Sequence, residues 1–179
     1  DPRGNEWEQI ATMPTPRGNG VAATVGDQIF AMGGTELRSD ANEMYDPLTD
    51  TWTGRAPIPT PRNNSCAAVI YGKVYLVSGG STRQELDVYD PALDQWTSPT
   101  TLPTARSIAM CAAHDGLLYV FGGQRADASV TDAAEVYDPA ADTWTTLGAM
   151  PTPRYDGSVA VVGELLVVMV NLGRHLSVD

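Results

Sequence analysis

Short apolar segments separated by polar turns run along the whole chain, and their order repeats. In each repeat a segment of small residues precedes an apolar, β-branched or aromatic segment, most clearly at 74–78 and 117–121. A third segment of mixed character and a fourth that contains a tryptophan follow. Segments of this length, bounded by Gly, Pro, Asp and Asn, are typical of β-strands. The pattern therefore predicts an all-β protein of short strands.

Five sequence features recur in the same order at a nearly fixed spacing. They are a Gly-Gly doublet after the second segment, a Tyr-Asp-Pro triplet, a tryptophan, an apolar residue followed by proline, and a Thr-x-Arg triplet. The tryptophans are separated by 45, 44 and 48 residues. A period in this range indicates a solenoid, a propeller or an array. The doublets are Gly33-Gly34, Gly79-Gly80 and Gly122-Gly123; the tryptophans are Trp7, Trp52, Trp96 and Trp144; the triplets end at Arg17, Arg62, Arg106 and Arg154.

These features resemble the kelch motif. A glycine doublet that ends an apolar strand, then Glu-x-Tyr-Asp-Pro, Asp-x-Trp, Met-Pro and Pro-Arg, stands at 122–154, and similar series precede it. The resemblance covers nearly the whole chain, whereas the Gly-His and Trp-Asp signatures of the WD40 repeat are missing. It implies a β-propeller of four-stranded antiparallel blades, with small residues in the innermost strands and tryptophans packed between neighbouring blades.

The resemblance implies one propeller domain over residues 1–179, with repeats at about 13–57, 58–101 and 102–149. Residues 150–179 have Met169-Val170 where the glycine doublet is expected. We expect them to form a composite blade with residues 1–12, in which 6–10 is the outermost strand. This velcro closure gives about four blades and leaves no open sheet edge. A fragment of a larger ring, or two chains that form one eight-bladed ring, are the alternatives.

The net charge of −11 narrows the range of partners. Proteins that bind nucleic acid need a basic face, and anionic membranes attract basic segments. We therefore expect no nucleic-acid partner and no membrane partner. No apolar run reaches the roughly 18 residues of a membrane-spanning helix, and no signal-like segment is visible. The sequence does not assign a compartment.

The two cysteines lie in the first strands of neighbouring repeats. Relative to the repeat arginines, Cys66 and Cys111 are offset by one position. Because successive residues of a strand point to opposite faces, this offset predicts that the two thiols face apart. We therefore expect buried, free cysteines and no disulfide.

No catalytic or metal-binding constellation stands out in the sequence. His114 and His175 have no second His or Cys at metal-ligand spacing, so we predict solvated turn residues, no metal site and no cofactor. The ligand sets of the copper and iron enzymes among kelch proteins are missing too. The resemblance thus favours a protein that is not an enzyme. Metal-free kelch enzymes, such as bacterial sialic-acid mutarotases, remain an alternative.

The recurring arginines are the leading candidates for function. In kelch adaptors, arginines at this position line the mouth of the central channel and bind acidic peptides, and a guanidinium can hold a carboxylate through two hydrogen bonds. The scaffold alternative is that each arginine joins adjacent blades by pairing with a backbone carbonyl or an acidic residue. The resemblance implies a binding rim of Arg17, Asn19, Arg62, Asn63, Arg106, Ser107, Arg154 and Tyr155, with Asn64 beside it.

Three functions are consistent with these features. The first is a binding module whose rim recognises a protein or an acidic peptide. The second is a metal-free carbohydrate-active protein that binds or converts an acidic sugar. The third is a structural propeller fragment without a ligand. Self-assembly to complete a ring is compatible with each of them.

Overall fold

Fourteen strands build the described part of the structure, a computed structural model that describes residues 4, 6–34, 40–80 and 83–170. Three sheets have four antiparallel strands each, in chain order, and a fourth sheet has two. These residues contain no helix, and hence no helix that could cross a membrane. Blade 1 contains β1 (Val21–Val25), β2 (Gln28–Met32), β3 (Asn42–Asp46) and β4 (Thr51–Gly54); blade 2 contains β5 (Cys66–Ile70), β6 (Lys73–Val77), β7 (Glu85–Asp90) and β8 (Gln95–Thr101); blade 3 contains β9 (Met110–His114), β10 (Leu117–Phe121), β11 (Ala134–Asp138) and β12 (Thr143–Thr146); blade 4 contains β13 (Gly157–Val162) and β14 (Leu165–Val170).

The sheets are blades of a β-propeller, as the repeats predict. The first strands β1, β5, β9 and β13 pack side by side, each against the first strand of the following blade. They are the innermost strands. Their small side chains suit this position because neighbouring blades converge there. One bulge, between Leu86 and Val88, shifts the pairing register of β7 and β8.

The hydrophobic core lies between the blades. Successive residues of the second strands point to opposite faces, so blades 2 and 3, which lie between two others, cover one neighbour with each face. At the interface of blades 2 and 3, Tyr75 and Val77 pack against Leu118 and Val120. The matching positions form the other two interfaces: Phe30 and Met32 with Val74 and Leu76, and Tyr119 and Phe121 with Leu166 and Val168.

A polar clamp joins the outer part of each blade to the segment that arrives from the preceding blade. The Asp94 carboxylate accepts hydrogen bonds from the Tyr89 hydroxyl at 2.6 Å and the Ala56 N–H at 2.8 Å. The Trp96 indole N–H donates to the Ala56 carbonyl at 2.8 Å. The Tyr89 and Ala56 hydrogen bonds lower the pKa of Asp94, in that order of size. The side chains of the Tyr-Asp-Pro and Asp-x-Trp features thus bind both the N–H and the carbonyl of Ala56.

The clamp recurs in blade 1 and is incomplete in blade 3. In blade 1, Asp50 and Trp52 hold the N–H and carbonyl of Ala11, and the hydrogen bond to Asp50 raises the pKa of Tyr45 to about 12. In blade 3 the buried Trp144 indole nitrogen has no partner among the described residues. The matching backbone residue, Thr100, lies within β8 and pairs with β7 instead.

The prediction of free cysteines was wrong, because Cys66 and Cys111 form a disulfide. Cys66 points to the face of blade 2 that covers blade 3, and Cys111 points to the facing side of blade 3. Neighbouring blades present opposite faces to each other, which the alternation within one strand does not reveal. An offset of one position therefore brings the two thiols together. Their Cα atoms are 5.9 Å apart.

The glycine doublet of the second repeat is shifted by one residue from its predicted place. Gly33, Ser78 and Gly122 each donate their N–H to a carbonyl at the start of the third strand, at 2.8 to 2.9 Å. Their φ angles of 66°, 52° and 57° lie in the left-handed region. The structural doublet is therefore Ser78-Gly79. Ser78 occupies a position that glycine adopts at a lower cost.

The N-terminal segment differs from its prediction. Residues 6–10 form no strand, and the side chain of Trp7 is fully exposed. The C-terminal half of the predicted composite blade, at 171–179, lies outside the described residues, as do residues 1–3. The velcro closure therefore remains a prediction.

We predict that Ser78→Gly stabilises the protein by about 1 kcal/mol. A non-glycine residue in the left-handed conformation costs roughly 1–2 kcal/mol, and the buried Ser78 hydroxyl has no hydrogen-bond partner among the described residues. Urea unfolding measures the change. Gly79→Ala is the matched control and should destabilise, because its φ is 109° and a Cβ would meet the Ser65 hydroxyl and, at 2.6 Å, the Asn63 carbonyl. A Ser78→Gly protein no more stable than the parent contradicts the assignment.

We predict that reduction of the disulfide lowers the free energy of unfolding by about 2–4 kcal/mol, since the bond closes a long loop in the unfolded chain. Denaturant unfolding with and without reductant measures it. The Cys66→Ala/Cys111→Ala variant should match the reduced protein and should not respond to reductant. Equal stability of the oxidised and reduced protein would mean that the cysteines are free.

Candidate functional site

A central cavity of about 410 Å³ lies between the first strands of the four blades. Four matching segments line it, one from each blade, at 19–22, 64–67, 108–111 and 156–159. The lining combines backbone and small side chains with the polar groups of Asn19, Asn64, Ser65, Asp156 and Ser158. The disulfide also forms part of the wall. The cavity therefore offers neutral amide and hydroxyl groups and one carboxylate.

One residue from each blade forms an arc of backbone hydrogen bonds along this lining. Asn64 donates its N–H to Asn19 at 3.0 Å, Ile108 donates to Asn64 at 2.9 Å, and Asp156 donates to Ile108 at 3.3 Å. All four residues have φ angles between 52° and 56°. Asn and Asp tolerate this left-handed conformation, whereas a β-branched residue is an outlier there. The hydrogen bonds of the arc hold Ile108 in the left-handed conformation and set the positions of the first strands.

Three of the four candidate arginines are engaged in ion pairs within their own blades. Each pairs with an acidic residue of the third strand: Arg17 with Glu43, Arg62 with Asp87, and Arg106 with Glu135. The side chains of Arg62 and Arg106 have no exposed surface, and that of Arg17 is 6% exposed. None of these side chains lines the cavity.

Two of these arginines also donate a hydrogen bond to the carbonyl of the first residue of a doublet. Arg17 donates to the Gly33 carbonyl at 2.7 Å, and Arg62 donates to the Ser78 carbonyl at 3.4 Å. Burial lowers the pKa of Arg106, and the Glu135 carboxylate offsets part of that effect. The partners, carbonyls and acids, match the scaffold alternative, but each pair lies within one blade and does not join adjacent blades as expected.

The other candidate residues have separate surroundings. Asn19 lies in the cavity lining, whereas Ser107 is buried and exchanges two backbone hydrogen bonds with Gln124. The Asn63 carbonyl accepts the Gly80 N–H at 2.8 Å. Tyr155 is 41% exposed. Arg154 is partly exposed, and its guanidinium makes no ion pair with any residue that the structure describes.

Sequence reasoning missed Ile108, Asp156 and Ser158 as lining residues. A signal for two of them was present. Ile108 and Asp156 each stand two residues after a repeat arginine, as Asn19 and Asn64 do. The repeat arginine recurs in every repeat but does not face the cavity. The position two residues later faces the cavity, and its residue type varies between repeats.

A second polar cluster lies at the turns of blades 3 and 4. The His114 Nε2 atom is 3.5 Å from an Asp115 carboxylate oxygen and 3.7 Å from a Glu164 carboxylate oxygen. Among the described residues, these three are the group whose ligand atoms lie close enough to share a metal ion. Both acidic side chains are highly exposed, while only 15% of the His114 side chain is exposed. The prediction of a solvated His114 was therefore wrong; His175 lies outside the described residues.

Comparison with known proteins identifies the repeats. The family model of the kelch motif matches residues 16–57 and 110–151. A solved structure, described as "Structure of YjhT", superposes with a TM-score of 0.81 at 17% identity. The superposition covers 91% of this chain and 62% of that one, so the chain spans less than two thirds of its length. At this identity the likeness shows the fold. No curated protein matches the chain significantly.

We predict that Arg106→Ala destabilises the protein by about 3–5 kcal/mol, because it leaves the buried Glu135 carboxylate without its partner. Chemical unfolding measures the loss. Arg106→Met combined with Glu135→Leu should recover most of it, since apolar residues of similar size can replace a buried pair. Arg154→Ala, at a repeat arginine that has no ion pair with a described residue, should change stability by less than about 0.5 kcal/mol. Equal losses at Arg106 and Arg154 would contradict the scaffold role.

Proposed function

Because the chain is a kelch-repeat protein, we propose that it is a binding module that holds an acidic peptide segment of a partner protein at the central cavity. The observation that carries the proposal is the cavity between the first strands, which is open and lined by polar groups. Loops and strand ends held by a rigid scaffold are common binding surfaces. The blades supply such a scaffold.

The cavity lining suits an extended peptide. The side chains of Asn19 and Asn64 offer both donors and acceptors, and Ser158 adds a hydroxyl group, whereas the Ser65 hydroxyl already donates to the Ser78 carbonyl at 2.9 Å. A peptide in extended conformation presents N–H and carbonyl groups that such side chains can satisfy. A volume of about 410 Å³ accommodates a few residues of a partner rather than a folded domain.

Arg154 is the residue that favours an acidic ligand. The other three repeat arginines are neutralised inside their blades. By the repeat pattern, the position that matches their acidic partners is Ser177, an uncharged residue outside the described part of the chain. Arg154 and the exposed Tyr155 do not line the cavity themselves; they directly precede Asp156, which does. We therefore narrow the predicted arginine rim to Arg154, whose guanidinium can bind a carboxylate through two hydrogen bonds.

An acidic sugar is the second candidate ligand. The neutral amides and hydroxyls of the lining suit sugar hydroxyl groups, and Arg154 would bind the sugar carboxylate in the same way. This candidate includes a metal-free, mutarotase-like activity. Because both candidate ligands would use the same cavity, competition between an acidic peptide and an acidic sugar distinguishes the two functions.

We predict that a fluorescently labelled glutamate-rich peptide binds the protein at low salt. Arg154→Ala should weaken binding by about tenfold or more, because a hydrogen bond to a charged group contributes about 1.5–3 kcal/mol. Arg154→Lys should restore only part of it. Fluorescence anisotropy measures the affinity. Lys73→Ala is the control; it removes the same charge from an exposed site at a β5–β6 turn and should change affinity little.

The same experiment distinguishes the candidates. The sugar-active alternative is supported if an acidic sugar displaces the peptide and its anomers interconvert faster with the protein than with Arg154→Ala. That result would contradict the binding-module proposal. Peptide binding that is unchanged in Arg154→Ala would contradict the assigned site. No binding of any acidic peptide or sugar would contradict the proposed function itself.

A further inference from the structure

Three potential metal ligands converge where the turns of blades 3 and 4 meet. His114 ends β9 and Asp115 follows it in the turn to β10, while Glu164 stands in the turn between β13 and β14. The innermost strands β9 and β13 pack side by side, which brings the two turns together. Ligand atoms of all three side chains lie within 4.8 Å of one another. Two blades therefore contribute to one cluster.

The spacing of these atoms is longer than that of good hydrogen bonds. The His114 Nε2 atom lies 3.5 Å from an Asp115 carboxylate oxygen and 3.7 Å from a Glu164 carboxylate oxygen. Hydrogen bonds between nitrogen and oxygen are about 2.7–3.2 Å long. Zinc binds imidazole nitrogen and carboxylate oxygen at about 2.0–2.2 Å, and in its tetrahedral sites two such ligands are about 3.4 Å apart. Both measured separations are therefore close to those between ligands of one ion.

The ligand types are those of a divalent transition metal. An imidazole nitrogen suits zinc, copper, nickel and iron, whereas calcium and magnesium prefer sets of oxygen ligands. The two carboxylates of the cluster balance the charge of a divalent ion. The largely buried imidazole also distinguishes this cluster from a group of exposed acidic residues. Only 15% of the His114 side chain is exposed, compared with 73% of Asp115 and 91% of Glu164.

A cavity of about 230 Å³ adjoins the cluster. It lies between the turns of blades 2 and 3, and its lining includes His114, Asp115 and the exposed Tyr71. The Tyr71 hydroxyl lies against Gly116, where an added Cβ would collide with it. Zinc sites with three protein ligands keep a fourth position for water or another ligand. The cavity provides space for that ligand beside His114 and Asp115.

The cluster lies at the opposite end of the innermost strands from the candidate ligand site. Arg154 precedes β13 and Glu164 follows it. A strand of six residues spans roughly 20 Å. The cluster is thus separate from the proposed peptide site, and neither depends on the other.

We propose that His114, Asp115 and Glu164 bind a divalent transition-metal ion, for which Zn²⁺ is the best match, and that the ion joins the turns of blades 3 and 4. The net charge of −11 raises the local concentration of cations at the protein surface. An ion that binds the folded chain stabilises it. Zinc should therefore stabilise the protein by linking blade 4 to its neighbour.

Isothermal titration calorimetry with zinc chloride, on protein first treated with a chelator, tests the site. The expected result is one ion per chain. His114→Ala and Glu164→Gln should each weaken binding by at least roughly tenfold, since even the loss of a residue that supports a ligand has that effect. His175→Ala removes the other histidine of the chain, and Asp27→Asn removes the same charge as Glu164→Gln from the exposed β1–β2 turn of blade 1. Both controls should bind zinc like the parent.

Thermal unfolding provides a second readout. Zinc should raise the melting temperature of the parent but not that of Glu164→Gln, whose substitution lies at an exposed position, and calcium should raise neither. No zinc binding, or binding that survives His114→Ala, would overturn the proposal. Binding that is lost in His114→Ala but unchanged in Glu164→Gln would overturn the link between the blades. Peptide binding should be unaffected by Glu164→Gln, so failure of the metal site and failure of the proposed function are distinguishable.

Discussion

Burial of the space between neighbouring blades is the constraint on which the rest of the structure depends. A single four-stranded sheet has two apolar faces, and it cannot bury both by itself. Each blade therefore depends on the blade before it and the blade after it. The aromatic and aliphatic residues of the second strands, such as Tyr75 and Leu118, carry this packing.

The recurring polar residues serve this packing. The Asp94 and Trp96 clamp fixes the segment that links two blades, and the Arg106–Glu135 pair fixes the start of the first strand within one blade. Residues that recur in every repeat are therefore scaffold residues. In the proposed function, recognition belongs to positions that differ between repeats. Arg154, whose matching acidic position is uncharged in the sequence, is such a position.

The blade order and the interblade tryptophans could be predicted from the sequence, because the repeated features resemble the kelch motif. Trp96 and Trp144 pack at blade interfaces as expected. The pairing of Cys66 with Cys111 could not be predicted from a single strand, since it depends on two blades that face each other. The position of Ser78 in the structural doublet could not be predicted, because the adjacent Gly79-Gly80 pair matched the doublet pattern of the sequence. The burial of the repeat arginines could not be predicted either, because the acidic residues that pair with them lie in strands distant in the sequence.

Amide hydrogen exchange tests most directly whether blade stability comes from covered faces. The account predicts that amides of β6 and β10, in blades covered on both sides, exchange most slowly, and that amides of β14 exchange much faster. Uniform protection across all four blades, or slowest exchange in β14, would contradict it.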